Sequence, residues 1–248
     1  MKIVFCEVNN EVIREAIENY PEIQIVKAAD INDACRKLAS DEAEAMIAGI
    51  DIATREVVLA AKDVVKLVGD FFSSSFLMEK NGKKILVADG GVNKNPSAEQ
   101  LEKIVLQTYE TAKKVLDEEP KIAMLSFSTF GSGGNDENIT KIHQVIDAVH
   151  KKYPDILIDG EMQLDTAIDG KVAKKKANGS LVAGEANILV CPDLNSGNIL
   201  YKSMERFGGW TAAGPILQGF AKPISDLSRG STTEDVILAI KTLERIIK

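Results

Sequence analysis

The sequence predicts an α/β fold built on a mostly parallel sheet. Short apolar runs alternate with segments of helical periodicity, and polar segments rich in small residues follow the apolar runs. The 248 residues suit one large domain or two smaller ones, with enough chain for a sizeable core.

KIVFCEV (2–8) reads as the first strand. NEVIREAIENY (10–20) reads as a helix, because Val12, Ile13, Ala16 and Ile17 share one face. EIQIVKA (22–28), INDACRKLASD (31–41) and AEAMIAGI (43–50) continue as strand, helix and strand, which completes a βαβαβ unit. KKILVADGGV (83–92) reads as a buried strand. The helix over 97–119 opens on a capping box formed by Ser97 and Gln100. KIAMLSFS (121–128) is a strand and 135–154 a helix. ILIDGEMQLDTAI (156–168), ANILVCPD (186–193) and GPILQGFAKPISDLS (214–228) supply further strands with their loops, and KVAKKKANGS (171–180) reads as a basic loop. A last helix begins near Thr232 or Thr233, with an apolar face of Val236, Ile237, Ile240, Leu243 and Ile247 and a capping box from Thr232 to Asp235.

Composition narrows the function classes. The formal charge of −7 argues against a nucleic-acid footprint, and 5% aromatics argues against base-stacking platforms. An anionic substrate therefore needs a local basic site, and only six arginines exist: Arg14, Arg36, Arg55, Arg206, Arg229 and Arg245. The three cysteines, Cys6, Cys35 and Cys191, are far apart and form no metal-binding spacing, so a cytoplasmic setting is expected. No signal peptide is read at the start, and no apolar run reaches the roughly 18 residues of a membrane helix.

Parallel strands place their functional loops at strand C-termini. SFSTFGSGGN (126–135) joins a strand to a helix with residues small enough to bring N–H groups onto a phosphate, though it has no Walker A spacing; a plain flexible loop fits equally. In CPDLNSGN (191–198), Asn195 and Asn198 either bond a ligand or cap a helix. Asp159, Glu161 and Asp165 read as surface or capping carboxylates, and His143 and His150 as helix-surface residues. SRGST (228–232) differs in kind. It has the composition of a backbone nest, and an arginine ahead of a helix N-terminus is electrostatically unfavourable unless an anion is present. Asp235 keeps a structural explanation as the capping-box residue.

AMLSFSTFGS (123–132), IDGEMQLDTAI (158–168), CPDLNSGNILYK (191–202) and GPILQGFAKPISDLSRGSTTED (214–235) together resemble the phosphate acetyl/butyryltransferases, in order and over roughly 84 to the end. VADGGVNKNPS (87–97) is similar to that family's Asn-Pro loop, while the first eighty residues match less well. Arg14 and Arg55 fall at family arginines, and Phe130 stands where a lysine is usual. The usual family chain is longer, mostly at its N-terminus, so the sequence looks like an N-terminally reduced member.

The resemblance implies a three-layer αβα fold of the isocitrate/isopropylmalate-dehydrogenase type. Domain I would comprise 1–66 and 215–248, domain II would comprise 67–214, and the site would lie in the cleft between them. It implies reversible acyl transfer between coenzyme A and phosphate, by direct thiolate attack in a ternary complex, in a cytoplasmic homodimer with no metal, nucleic acid or membrane involved. Asp235, Arg229 and Ser228 would be catalytic. Arg55, Arg14, Ser126, Thr129, Gly131, Ser132, Asn195, Gly197, Gln218 and Gly230 would bind substrates. A non-catalytic acyl-CoA or acyl-phosphate sensor, and a butyryl or branched-chain acyltransferase, stay open as alternatives.

Overall fold

The computed structural model describes residues 1–248. Ten strands form one sheet: β1 (Lys2–Phe5), β2 (Gln24–Lys27), β3 (Ala45–Ala48), β4 (Ser73–Lys80), β5 (Lys83–Ala88), β6 (Lys121–Leu125), β7 (Leu157–Met162), β8 (Ile188–Val190), β9 (Thr211–Gln218) and β10 (Ile224–Asp226). Their order across the sheet is β2-β1-β3-β10-β9-β4-β5-β8-β6-β7. Nine helices cover it: α1 (Glu11–Glu18), α2 (Ile31–Ala39), α3 (Thr54–Val64), α4 (Ala98–Val115), α5 (Glu137–Lys152), α6 (Leu164–Ile168), α7 (Gly170–Lys176), α8 (Leu194–Arg206) and α9 (Thr233–Ile247).

The sheet consists of two parallel blocks that run in opposite directions. β2, β1, β3 and β10 are mutually parallel, as are β5, β8, β6 and β7. Between them β10–β9, β9–β4 and β4–β5 are all antiparallel, and these three reversals invert the second block. The strand C-termini, where functional loops gather, therefore fall on two opposite edges of the sheet. The chain returns to its starting block at β10, where Ile224 pairs with Met46 and Asp226 with Ala48.

Most elements lie where the apolar periodicity predicts them. Both capping boxes form: Ser97 accepts from the N–H of Gln100, and Thr232 from that of Asp235. Four local expectations change. KVAKKK is helix α7, because the Asp169 side chain accepts from the N–H groups of Lys171 and Val172. Asn195 and Asn198 are not caps, since Asp193 caps α8 and both asparagines lie inside that helix. Glu161 is no surface carboxylate: it is fully buried. β4 and α3 are additional elements, the first with Ser73, Ser74 and Ser75 all buried.

The core follows this layering. Ile3, Phe5, Ile47, Leu86 and Ile188 pack with Leu101 and Ile142 of α4 and α5 and with Val236, Ile240 and Leu243 of α9. On the opposite face Val4, Met46 and Ala48 pack with α2 and α3. The apolar stripe predicted for α9 is thus its core face, with Val236, Ile240 and Leu243 fully buried.

Candidate functional site

The two edges differ in how their polar groups are used. On the edge formed by β5, β8 and β6, the loop Ser126–Asn135 has the composition of a phosphate cradle. Every backbone N–H from Ser128 to Gly134 nevertheless donates within the protein. Its anion is Glu161: Oε1 accepts from the Gly131 N–H at 2.7 Å and the Ser128 hydroxyl at 2.6 Å, and Oε2 lies 2.6 Å from Nε2 of His143. Burial opposes ionisation of Glu161, but these bonds outweigh it and hold its pKa below the usual carboxylate value. Thr129 and Ser132 close the loop on itself, with the Thr129 N–H donating to the Ser132 hydroxyl at 2.9 Å. Ser126 lines an adjoining cavity of about 330 Å³ with Leu125, Phe127, Leu164 and Leu200. Phe130 is exposed beside it and holds a left-handed φ of 46°.

The neighbouring loops on that edge are also self-satisfied. Asp89 accepts from the Ser74 hydroxyl and from the N–H groups of Gly91, Val92 and Asn93. Asn198 donates to the Gly90 carbonyl, and a Cβ at Gly197 would lie 2.2 Å from the Asp89 carbonyl oxygen, so Gly197 serves close packing. Asn195 lies beside it in the first turn of α8. Gln218 ends β9 inside the core, where its amide donates to Ser75 and Thr111 and accepts from Ser73 and Thr108.

The edge formed by β1, β3 and β10 has donors to spare. The N–H groups of Ser228, Arg229 and Gly230 have no acceptor in the protein; within this turn only Ser231 donates, to the Ser228 carbonyl. Arg229 is exposed and has no carboxylate partner. Arg55 stands likewise, in the first turn of α3, whose N-cap Ala53 has no side chain to bond the free N–H groups. Ser, Thr, Asp or Asn would normally fill that position. Arg14 projects from α1, again exposed and unpaired, and α1 is tied to α9 by the Thr233 hydroxyl donating to Glu15. Arg36, Arg206 and Arg245 by contrast each pair with a carboxylate. The start of α3 and the turn ahead of α9 thus each leave N–H donors open beside an arginine set against a helix dipole, an arrangement electrostatically suited to an anion.

Carboxylates frame this edge from behind. Glu7 accepts from the N–H groups of Gly49 at 3.1 Å and Asp51 at 2.8 Å; burial raises its pKa against those bonds. Asp235 is 3% exposed. Its Oδ1 accepts from the Ala212 N–H at 2.7 Å, and its Oδ2 from the Thr232 N–H at 2.8 Å and hydroxyl at 3.0 Å. Gly230 leaves room for Arg206, since a Cβ there would lie 2.2 Å from the guanidinium.

The structure therefore groups Arg14, Arg55, Ser228, Arg229, Gly230 and Asp235 at one edge. Ser126, Thr129, Gly131, Ser132, Asn195 and Gly197 gather at the other, and Gln218 lies in the core between. Asp226 carried no signal in the sequence, while Glu161, read as a surface or capping carboxylate, and Arg206, one of six arginines, take their roles from distant partners. No group of three or more His, Cys, Asp or Glu side chains is placed to hold a metal ion.

The sequence model of the phosphate acetyl/butaryl transferase family matches residues 22–242. The chain belongs to that family. A phosphate acetyltransferase of Clostridium acetobutylicum is 50% identical over 175 residues, covering 70% of this chain and 52% of that protein. The phosphate acetyltransferase of Treponema pallidum is 40% identical over 232 residues, covering 88% of this chain and 69% of that protein. The chain thus spans about half to two-thirds of the length of these relatives. A phosphotransacetylase from Streptococcus pyogenes superposes with a TM-score of 0.85 at 31% identity, over 100% of this chain and 94% of that one. The 4-hydroxythreonine-4-phosphate dehydrogenase of Klebsiella pneumoniae shares the fold at a TM-score of 0.59 and 12% identity, which fits the dehydrogenase-like architecture of the family.

Proposed function

We propose that this member of the phosphate acetyl/butaryl transferase family carries out reversible transfer of an acyl group, acetyl in the first instance, between coenzyme A and inorganic phosphate. The observation that carries this reading is the Ser228–Gly230 turn. Three consecutive N–H groups lack acceptors there, and Arg229 lacks a carboxylate. Arg55 and Arg14 add charge at the same edge, and the relatives named above are acetyltransferases or a phosphotransacetylase.

The chemistry follows from these groups. A free thiol with a pKa near 8.5 holds little thiolate at neutral pH, so its proton must be accepted as it attacks. The thiolate sulfur bonds to the carbonyl carbon of the acyl phosphate, and the C–O bond to phosphate breaks. The thiol proton passes to the base and finally to the released phosphate. Arg55 and Arg14 hold the phosphate. Arg229, the Ser228 hydroxyl and the open N–H groups stabilise the oxyanion and the departing charge. Asp235 is the proposed base, through Oδ2, whose partner Thr232 lies at the exposed mouth of α9. Residues 1–66 with 215–248, and 67–214, act in this reading as two lobes of a cytoplasmic homodimer that uses coenzyme A as substrate.

A second reading, binding without turnover, draws support from one observation: both oxygens of Asp235 already accept hydrogen bonds. Thioester absorbance with purified protein, coenzyme A and acetyl, propionyl or butyryl phosphate separates the two. Turnover is expected. Coenzyme A binding with no thioester from any donor would leave the sensor.

A further inference from the structure

Asp226 ends β10, two residues before Ser228, and has no exposure at all. No protein group donates a hydrogen bond to either of its carboxyl oxygens. A buried polar group without a partner is rare and strongly unfavourable. Its surroundings are specific. Oδ1 lies over Gly49, where a Cβ would come within 2.1 Å, and Gly49 holds a φ of +104° that suits glycine. Glu7 grips the same loop from the other side through the N–H groups of Gly49 and Asp51. The Thr54 hydroxyl stands close enough to favour the ionised form of Asp226 without reaching hydrogen-bond geometry. Burial is the larger influence and pushes the pKa up to about 7, with repulsion from Glu7 adding to it. Thr54, the candidate donor, is thus one residue from Arg55, and the acceptor is three residues from Arg229.

We infer that Asp226 is a positioning residue: when an anion binds between Arg55 and Arg229, its carboxylate accepts the Thr54 hydroxyl and fixes the first turn of α3 against the Ser228–Arg229 turn. The inference rests on the phosphate-binding reading above. Glu7, Asp51, Arg55 and Arg229 are the charged groups of the flanking segments, while Asp235 is tied away to Ala212 and Thr232.

Calorimetric titration with inorganic phosphate at pH 7.5 tests this on wild type, Asp226→Asn, Thr54→Val, Thr54→Ser and the Asp226→Asn/Thr54→Val double variant. Thr54→Val removes the donor and should weaken phosphate binding about tenfold. Asp226→Asn, whose amide oxygen still accepts but without charge, should weaken it by a smaller factor of a few-fold, and the double variant by about the same tenfold as Thr54→Val, because the bond is absent in both. Thr54→Ser should bind as wild type. Asp226→Asn should melt no lower than wild type, which a carboxylate kept only for structure would not do. Wild-type affinity in Thr54→Val, or about a hundredfold loss in the double variant, overturns the inference. Should Asp226→Asn not fold, the Thr54→Val and Thr54→Ser pair decides alone: equal affinities overturn it. A wild type that binds phosphate without turnover defeats only the acyltransferase reading, and one that binds no phosphate defeats both.

Discussion

The Arg206 guanidinium at the end of α8 donates to the Gly230 carbonyl at 3.0 Å, with Glu205 at 3.0 Å behind it. One arginine of the chain thus braces the turn that presents another. Arg206→Ala should raise the KM for acetyl phosphate several-fold and leave kcat nearly unchanged, because a lost brace loosens binding without removing a group from the reacting atoms. Steady-state kinetics check this, and an equal fall in kcat would contradict it.

Arg229 has no internal partner to lose, so its removal should act on function alone. Arg229→Ala should lower kcat/KM by about 10²-fold or more, with a melting temperature close to wild type. A lysine at 229 restores charge without the bidentate fork and should recover only part of the loss.

Asp235 caps α9 and is the proposed base. Asp235→Ala strands the Ala212 and Thr232 N–H groups and should destabilise the protein by about 2 kcal/mol. Thr232→Val removes one donor to Oδ2 and leaves the carboxylate in place. It should keep or raise kcat if Oδ2 is the base. Urea unfolding together with rates for the two variants separates capping from catalysis.

Asp226 makes stability pH-dependent with a definite sign. Its folded pKa is about 7 against 3.8 for the unsheltered group. Between those values the folded state holds a proton that the unfolded state has released, so this group lowers stability as pH rises from about 4 to 7. The penalty then levels off, on the order of 4 kcal/mol. Asp226→Asn should flatten that slope, giving a stability gain over wild type that grows across this window. Unfolding curves at pH 5, 6, 7 and 8 read it directly.

Glu161 carries the opposite sign. Its lowered pKa means that it stabilises above the unfolded pKa, an effect lost as pH falls through the folded value. Glu161→Ala leaves the Gly131 N–H, the Ser128 hydroxyl and His143 without their acceptor and should cost about 2 to 4 kcal/mol. Faster amide exchange at Gly131 is the local sign.

Much of the architecture was readable from local pattern. The alternation of Ile3, Phe5, Ile47 and Leu86 with amphipathic helices is short-range, and so are both capping boxes. β4 escaped because SSSFLMEK opens on three serines, poor strand formers that are nonetheless buried here. α3 escaped because Ala53 gives no cap signal, and α7 because a lysine run hides its Asp169 cap. The SRG turn stood out through one electrostatic mismatch at Arg229. That the Ser126–Asn135 loop already holds Glu161 depends on a partner thirty residues away, and no local pattern encodes such a pairing.

The place of β10 has a consequence for how the chain acquires its shape. β3 stays an unpaired edge until Ile224–Asp226 slots in beside it, with β9 on the far side. On a ribosome the first block waits, with one flank of hydrogen-bonding groups bare, while the whole second block emerges. Edge pairing with a neighbouring nascent chain is the hazard of that interval. The strand that ends the wait is the one leading directly into Ser228 and Arg229, so the donor-rich turn and the last seam of the sheet come into being in the same event.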